Sequence, residues 1–419
     1  MKHLKNINLF CLCILMAASC SNEDAPGITT DPANDPDAVE LGISAGVALT
    51  KSAINSGEQS GTGSDVMQSL AVYAAEKTSS SPDSYGDGNN YAIYSQTGGS
   101  WENKGTDKIY LTNEEATIYA YHPAYTPAAG GIMQTTGTPL KLSSAPASSS
   151  SAINISVFEG NNTADADNKY PTDINNAETI WDGSNSTWKA NDKKDKIVSA
   201  PGEVDYMWGV DNSTGSLAKA SNGKKNGTPT ENAHQVNLKM KHAMSMVSFR
   251  IYNDGSYKNT GKLTKIVLKN SNGTALSKGT TPTMNISTGV VTPNAASSAT
   301  YSRHIENGYT LIKIGTTNAD GVVADGGTQE EKKANAAKAS TEFSILVLPH
   351  TGAKNTIEAV FTIDGADYSV PLAANANSVD WKQGVNNLYT AVLSGQGLAI
   401  NSLTVEAWGS GNGGDLSVQ

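Results

Sequence analysis

Alternation of apolar and polar residues constrains the fold of this chain more than any other feature of its sequence. From Val39 to Leu49 every second residue is apolar, which is typical of a β-strand with one buried face. Further on, two alternating segments flank Asp364-Gly365, a dipeptide that favours a tight hairpin turn. One segment, Thr328–Ser340, is predicted to form a short helix. Many short strands separated by turn residues predict an all-β protein built from β-sandwiches.

Two changes along the chain divide it into domains. The composition changes near Glu231. The strand that follows switches its alternation between Met246 and Val247, which predicts a bulge or a bend. We therefore predict one β-sandwich domain over residues 38–232 and a second over residues 233–419.

The first residues have the pattern of an exported lipoprotein. Lys2 and Lys5 precede an apolar run that is too short to span a membrane, so residues 1–19 are predicted to be a signal peptide. Small residues come directly before Cys20, which predicts cleavage there and lipidation of Cys20. An ordinary secretory signal with an incidental cysteine is the alternative. Residues 20–37 are polar and acidic, so we expect a disordered tether between a lipid anchor in the membrane and the first domain.

Composition excludes several classes of function. The formal net charge is −10 and no basic stripe is present to neutralise phosphates, so we expect no nucleic-acid partner. All three cysteines lie within the first twenty residues, which leaves none for a disulfide or a thiolate metal site in the folded part. The sequence lacks the motifs of zinc proteases, serine hydrolases and P-loop proteins, so we expect no enzyme, no cofactor and no metal. A hydrolase is the weakest alternative, because two strands can always bring two acids together.

A few chemically capable residues are assigned structural roles. His242 lies on an apolar strand face and is predicted to be a hydrogen-bonded core residue. His122 and His350 stand beside strand ends and are predicted to be turn residues. The acidic stretch at 165–168 lacks the spacing of a calcium loop. The glycine motif at 409–414 has no helix after it to receive a pyrophosphate, so it is interpreted as a flexible hinge.

The last residues of the chain alternate on either side of that hinge. The apolar positions of this segment are Leu403, Val405, Ala407, Trp408, Leu416 and Val418. Folded domains avoid leaving strand edges of this kind open. The segment therefore either closes the second sandwich or pairs with another molecule.

The order of several short motifs resembles the fimbrillin family, the type V pilins of Bacteroidetes-type bacteria. The motifs are the lipoprotein start, "ISAGVALTKS", "SLAVYA", "IYAYHPAY", "DYMWG", "LKMKHAMSMVSFRI" and "LTVEAWGSGNGG". The resemblance implies two transthyretin-like β-sandwich domains in tandem, made as a lipidated precursor. It also implies that a trypsin-like protease removes the first strand and that other pilin subunits then join by donor-strand exchange. The cleavage site would be Lys51–Ser52, where the family often has arginine.

Strand exchange assigns a role to each end of the chain. The displaced strand, within residues 39–50, would carry Val39, Leu41, Ile43, Val47 and Leu49, and the donor strand would carry the six apolar positions of the C-terminal segment. Removing the first strand exposes apolar surface worth at most about 10 kcal/mol. This loss is comparable with the whole stability of a domain, about 5–15 kcal/mol. A replacement strand is therefore expected to bind tightly.

The sequence thus favours a structural subunit of a surface fimbria that supports adhesion. The extension beyond Trp408 favours a stalk subunit over a tip subunit. We expect an outer-membrane lipoprotein precursor that later becomes part of a fimbrium on the cell surface. The alternative is a monomeric surface lipoprotein that binds glycans or host ligands. The six tryptophans are widely spread along the chain, which disfavours a glycan site built of stacked aromatic rings.

Overall fold

The computed structural model describes most of the chain between residues 36 and 407. The described residues are 36–47, 67, 69–76, 85, 89–97, 100–103, 105–127, 136–142, 151–160, 169–170, 177–182, 184–191, 200, 202–224, 230–271, 276–295, 297–315, 322–323, 327–372 and 378–407. Within them, nearly all regular structure is β-strand and a single helix is present. The prediction of an all-β protein is confirmed.

The described residues between 39 and 242 contain fourteen strands. They are β1 (Val39–Glu40), β2 (Gly42–Val47), β3 (Ser69–Glu76), β4 (Tyr91–Thr97), β5 (Ser100–Asn103), β6 (Tyr110–Leu111), β7 (Ala116–His122), β8 (Ala152–Asn154), β9 (Lys169–Tyr170), β10 (Thr179–Asp182), β11 (Thr187–Ala190), β12 (Met207–Asp211), β13 (Ala218–Ala220) and β14 (Gln235–His242).

Eight of these strands form the first sheet, in the order β2-β14-β12-β7-β3-β4-β5, with β13 also paired to β7. The sheet is antiparallel except at its edge, where β2 runs parallel to β14. The two edge strands approach each other, because Trp101 in β5 donates a hydrogen bond to the Ala45 carbonyl in β2 at 2.9 Å. The first sheet therefore curls round an interior.

Both faces of this curled sheet are packed. Its interior contains alternate residues of the strands, such as Leu70 and Val72 in β3 and Leu238 in β14. On the outer face, Tyr73 and Tyr121 join a second cluster with residues from the middle of the chain. Burial on both faces explains why every residue of β7 is buried.

The second half of the chain contains fourteen further strands and the helix α1 (Gln329–Ala339). The strands are β15 (Ser245–Asn253), β16 (Lys262–Asn270), β17 (Thr283–Asn285), β18 (Val291–Thr292), β19 (Thr300–Thr310), β20 (Ile312–Ile314), β21 (Val322–Val323), β22 (Phe343–Val347), β23 (His350–Ala353), β24 (Ile357–Ile363), β25 (Ala366–Pro371), β26 (Ser378–Trp381), β27 (Val385–Ser394) and β28 (Gly397–Ala407).

Two larger sheets of this half share one core. One sheet has the order β21-β20-β15-β27-β28, with β22 also paired to β15, and the other has the order β25-β24-β16-β19-β9. Phe249 and Tyr389 from the first of these sheets meet Phe361 from the second in a single buried cluster. The two sheets thus form a sandwich, and β28 is an edge strand of it.

The predicted helix and hairpin of this half are present. Thr328 caps α1, and its hydroxyl accepts a hydrogen bond from the Glu331 amide while the Glu331 carboxylate accepts one from the Thr328 amide. The turn between β24 and β25 has positive φ at Asp364 (49°) and Gly365 (81°), as the Asp-Gly dipeptide predicts for a two-residue hairpin loop.

The predicted division at residue 233 differs from the arrangement of the sheets. β14 follows that position but pairs with β12 and β2 in the first sheet, whereas β15 enters the sandwich. The switch of alternation therefore marks a change of sheet after His242 rather than a bulge inside one strand. In addition, β9 pairs with β19 of the sandwich. Alternation reveals where strands lie but carries no information about which sheet they join.

The histidines occupy partly different positions from those predicted. His242 is buried with its Nδ1 2.9 Å from Asp205 Oδ2, so the prediction of a hydrogen-bonded core residue is confirmed. His122 is not a surface turn residue, because it is the buried last residue of β7 and its Nδ1 donates to the Ser69 carbonyl at 2.9 Å. His350 is also part of a strand, the first residue of β23. Proline and strand-end cues alone do not reveal burial.

Two kinds of feature are absent from the described residues. The part of the chain that the structure describes contains no helix of the length and apolarity needed to cross a membrane. Within the same ranges, no three His, Cys, Asp or Glu side chains come together in a group suited to a metal ion.

Candidate functional site

The N-terminal segment, residues 36–47, fills a gap in the first sheet. β2 pairs with β14 over six residues, from Gly42 opposite Gln235 to Val47 opposite Met240. On the other side, β1 pairs with β6, and the Leu41 amide donates to the Ile109 carbonyl at 2.9 Å. The segment therefore has main-chain bonds on two sides. We call the space that it occupies, between β14 on one side and β4, β5 and β6 on the other, the groove.

Alternate side chains of this segment point into the core. Leu41 is 1% exposed and Ile43 is 7% exposed, and both belong to the interior cluster of the first sheet. Ala45 packs against the same cluster at its margin. Between them, Ser44 and Gly46 are exposed. The alternation predicted for this strand is therefore confirmed where side chains are described.

Two aromatic side chains bind the main chain of the N-terminal segment from the wall opposite β14. The Tyr94 hydroxyl donates to the Leu41 carbonyl at 2.7 Å, and the Trp101 Nε1 donates to the Ala45 carbonyl at 2.9 Å. Burial, with a smaller contribution from Glu40, holds the pKa of Tyr94 well above its ordinary value, so its hydroxyl remains a donor at neutral pH. These bonds satisfy two carbonyls on the edge of the segment that faces away from β14.

Ion pairs secure the entrance of the groove. Glu40 Oε2 lies 2.6 Å from Lys108 Nζ, and this hydrogen bond raises the pKa of Lys108. Asp37 pairs with Lys224, and the Asp37 carbonyl accepts a bond from the Asn222 amide at 3.3 Å. Both ion pairs are substantially exposed and are therefore screened by solvent. A cleft of about 500 Å³ opens beside them, between the N-terminal segment and the wall that carries Trp101.

The C-terminal edge strand has a different character. β28 pairs with β27 over ten residue pairs, and a shift in register leaves Asn401 as an extra residue. Before this bulge, Leu398 and Ile400 pack against the sandwich core. After it, Leu403 stands opposite Tyr389 on the same face of the sheet but is 38% exposed. Val405 follows at 41% exposed. The end of β28 thus presents apolar side chains on an uncovered part of the core-facing surface.

The structure places only some of the predicted site residues. Val39, Leu41 and Ile43 lie in the groove, and Leu403 and Val405 lie on β28. Val47 and Ala407 end their strands, and nothing is described of their side chains. The predicted residues outside the described ranges are Cys20, Leu49, Lys51, Ser52, Trp408, Leu416 and Val418. The two ends are therefore seen as separate edge strands of different sheets.

Sequence reasoning missed the residues that hold the N-terminal segment. Tyr94 lies on a strand whose alternation can predict a buried ring but not the bond that its hydroxyl makes. Trp101 and Lys108 had no distinguishing motif. A side chain that bonds a main-chain carbonyl more than fifty residues away leaves no local signal.

Comparison with known proteins adds an independent finding. A family model described as fimbrillin-like matches residues 170–408, which is more than half of the chain. No curated relative matches the chain.

Several solved structures align with most of this chain, at low sequence identity and with TM-scores below 0.5. A putative cell adhesion protein from Bacteroides uniformis is 16% identical, with a TM-score of 0.44 over 88% of this chain and 98% of its own. A fimbrial protein from Bacteroides vulgatus is 12% identical, with a TM-score of 0.44 over 88% and 99% of the two chains. A structure from Bacteroides thetaiotaomicron, titled as putative polysaccharide binding proteins, is 8% identical, with a TM-score of 0.31 over 88% and 97%.

Proposed function

The chain belongs to the fimbrillin-like family, and on that basis we propose that it is a structural subunit of a surface fimbria, assembled by exchange of strands between subunits. The observation that carries the proposal is the position of the N-terminal segment, in which β2 fills a gap in the first sheet while Leu41 and Ile43 enter its interior cluster. The role proposed is structural rather than catalytic.

The groove suits a replaceable strand. Burial of Leu41 and Ile43 contributes about 1.5–3 kcal/mol for each side chain at most. Without them, buried core residues such as Leu238 and Met240 on β14 would meet water, and the β14 edge would be unpaired. A strand from another subunit would restore both the apolar contacts and the ladder. Because donor and acceptor lie at different places on one subunit, the contact is heterologous and builds an open fibre.

Proteolysis would convert the segment into a removable one. Lys51 follows the end of β2 by four residues, so a cut at Lys51–Ser52 would separate the strand from β3 and the rest of the fold. We propose that a trypsin-like protease makes this cut. We further propose that Cys20 carries the lipid that anchors the precursor in the outer membrane. Wild-type protein with an unmodified Cys20 after signal cleavage would end the lipidation hypothesis, and Cys20→Ala is expected to leave the protein unlipidated and mislocalised.

Two C-terminal segments are candidate donors. Leu416 and Val418 repeat the spacing of Leu41 and Ile43, as do Leu403 and Val405. The second pair lies in β28, which has to leave its ten-residue pairing with β27 before it can enter another groove. We therefore favour the tail beyond Ala407 as the donor, with Leu398–Trp408 as the alternative. A donor tail together with an acceptor groove favours a stalk subunit.

Limited digestion tests the proposal directly. The purified protein is treated with trypsin, and the products are followed by N-terminal sequencing and electron microscopy. We expect fibres whose subunits begin at Ser52. The matched control is Lys51→Gln, which removes this one site while leaving every other lysine, and it is expected to stay monomeric. Fibres that still contain residues 20–51, or complete cleavage at Lys51 without fibres, would contradict the proposal.

A second candidate function is glycan or host-ligand binding by a monomeric surface lipoprotein. Trp181 and Trp188 face each other on the hairpin β10–β11, with ring centroids 5.3 Å apart, and both are partly exposed. The spread of tryptophans along the sequence disfavours a site of several stacked rings, but these two meet across the hairpin. Trp188 also packs against a cluster that includes Tyr252, which gives it a structural role as well. A chain that remains monomeric after cleavage and loses glycan binding on Trp181→Ala would favour this second function.

A further inference from the structure

The main-chain bonds of β2 are divided between two walls of different kinds. On the β14 side, the Gly42 amide donates to the His234 carbonyl at 2.9 Å, as part of a strand ladder. On the opposite side, the acceptors are the carbonyls of Leu41 and Ala45, and their donors are side chains. Successive residues of a strand direct their main-chain groups to opposite edges, so the carbonyls of residues 41 and 45, four positions apart, belong to one edge.

Side-chain donors of this kind recognise a main chain and not a particular sequence. The carbonyls of residues i and i+4 on one edge of an extended chain are about 13 Å apart. A helical turn of five residues is about 6 Å long and cannot reach both donors. Tyr94 and Trp101 therefore recognise an extended strand whatever its side chains are.

We propose that Tyr94 and Trp101 set the register of any strand that occupies the groove, by binding its carbonyls at positions i and i+4. The inference rests on the proposed function, in which the strand of another subunit replaces β2. A slip of one residue would turn these carbonyls towards β14 and turn the apolar side chains outwards. Positions i and i+2 take large apolar side chains, as Leu41 and Ile43 do now.

The position i+4 carries a further restriction. There Ala45 packs beside Trp101 at the margin of the interior cluster, next to the bond between its carbonyl and the indole. A slip of two residues would keep the carbonyls within reach but would bring a large side chain to this site. The expected occupant is therefore a strand with the pattern large apolar, any, large apolar, any, small. If Leu398–Trp408 is the donor, residues 403–407 supply the whole pattern, with Leu403, Val405 and Ala407. If the tail is the donor, Leu416 and Val418 supply its two large positions.

The first test uses the intact chain and needs no assembly. Tyr94→Phe removes one hydroxyl without changing the ring, and Trp101→Phe removes the indole donor. Loss of one such hydrogen bond is expected to speed amide exchange in residues 42–47 by about fivefold to tenfold. The matched control is Tyr368→Phe on β25, which packs against the sandwich core and lies outside the groove. Unchanged exchange in both groove variants, with the melting temperature of the wild type, would overturn the inference.

The second test asks whether an added strand is recognised in the same way. A fluorescent peptide with the sequence of residues 38–48 is added to the chain from which the N-terminal segment has been cut and removed, and its Kd is measured by anisotropy. We expect the Kd to rise about fivefold to tenfold for Tyr94→Phe and for Trp101→Phe, and to stay unchanged for Tyr368→Phe. A peptide with Ala45→Ile is expected to bind at least tenfold more weakly to the wild type. Equal affinity for wild type and both groove variants would overturn the inference.

The two proposals fail in different ways. If the cut chain binds the peptide with the expected dependence on Tyr94 and Trp101 but forms no fibres, the fimbrial function is wrong and the register inference stands. If fibres form from Tyr94→Phe and Trp101→Phe with wild-type yield and wild-type thermal stability, the function stands and the register inference is wrong.

Discussion

β2 and β28 are both edge strands near the ends of the described chain, yet they are held in opposite ways. β2 has six ladder pairs, and its buried side chains and the donors from Tyr94 and Trp101 supply much of its attachment. β28 has ten ladder pairs, while the side chains at its far end are exposed. Apolar alternation alone therefore does not distinguish a strand that fills a groove from a strand that presents a surface. The first is suited to replacement and the second to further contact.

The test with the largest expected effect on stability places a carboxylate in each of the two strands. Ile43→Asp buries an unpaired charge in the interior cluster and is expected to destabilise the precursor by about 3 kcal/mol or more. Val405→Asp places the same group at a 41% exposed position and is expected to change stability by about 0.5 kcal/mol or less. Urea denaturation of the full chain measures both. Equal losses would show that the two strands are held alike.

The tail beyond β28 gives the second test, because it decides whether the C-terminal end presents a donor. Leu416→Asp together with Val418→Asp is expected to block fibre growth while leaving the melting temperature of the monomer unchanged, since a donor tail is free in the monomer. In a neighbour's groove each carboxylate would be buried without a partner, at a cost of several kcal/mol.

Melting curves and fibre yield of the double variant are measured together, with Leu416→Ala and Val418→Ala as the matched uncharged variant. A lowered melting temperature would mean that the tail closes its own sandwich. Fibres of normal length from a stable monomer would mean that Leu398–Trp408, and not the tail, is the donor strand.

A third test compares the two halves by their response to acid. Burial lowers the pKa of His122 in the first sheet; the hydrogen bond to Ser69 and the nearby Asp205 oppose this effect, and His242 adds to it. Burial also lowers the pKa of His350, which is only partly buried, in the second half. A histidine with a lowered folded pKa stays neutral while the unfolded chain takes up a proton below about pH 6.5. Stability is therefore full above about pH 7 and falls as the pH decreases towards 5.

His122→Gln keeps an amide donor for the Ser69 carbonyl and is expected to flatten this loss, which reaches about 1.4 kcal/mol for each pH unit well below the unfolded pKa. His350→Gln is expected to flatten it less. Denaturation curves at pH 7.5, 6 and 5 measure how the free energy of unfolding changes with pH in each variant. The same pH dependence in His122→Gln as in the wild type would contradict the expectation.

The sequence predicted where strands lie but not which strands pair with each other. Alternation is a local property, so it identified the strand of Leu41 and Ile43, the strand of Leu403 and Val405, and the hairpin at Asp364. Pairing is not local: the parallel register with β14 joins residues almost two hundred positions apart. The exposure of the end of β28 depends on where the opposite sheet stops, which no pattern within β28 records. For the same reason the sequence predicts a removable strand but does not predict the side chains of the wall that bind it.

The ion pair at the entrance of the groove allows the smallest test. Glu40 and Lys108 are each more than one third exposed, so solvent and salt weaken their attraction. After cleavage at Lys51, Lys108→Met or 0.5 M NaCl is expected to speed the release of the N-terminal segment by less than about threefold. Tyr94→Phe, which removes a buried bond, is expected to speed it about fivefold to tenfold. Release is followed by anisotropy of a label at the N-terminus, with Lys265→Met as a control outside the groove. A larger effect of Lys108→Met than of Tyr94→Phe would mean that charge at the entrance, and not the buried main-chain contacts, retains the strand.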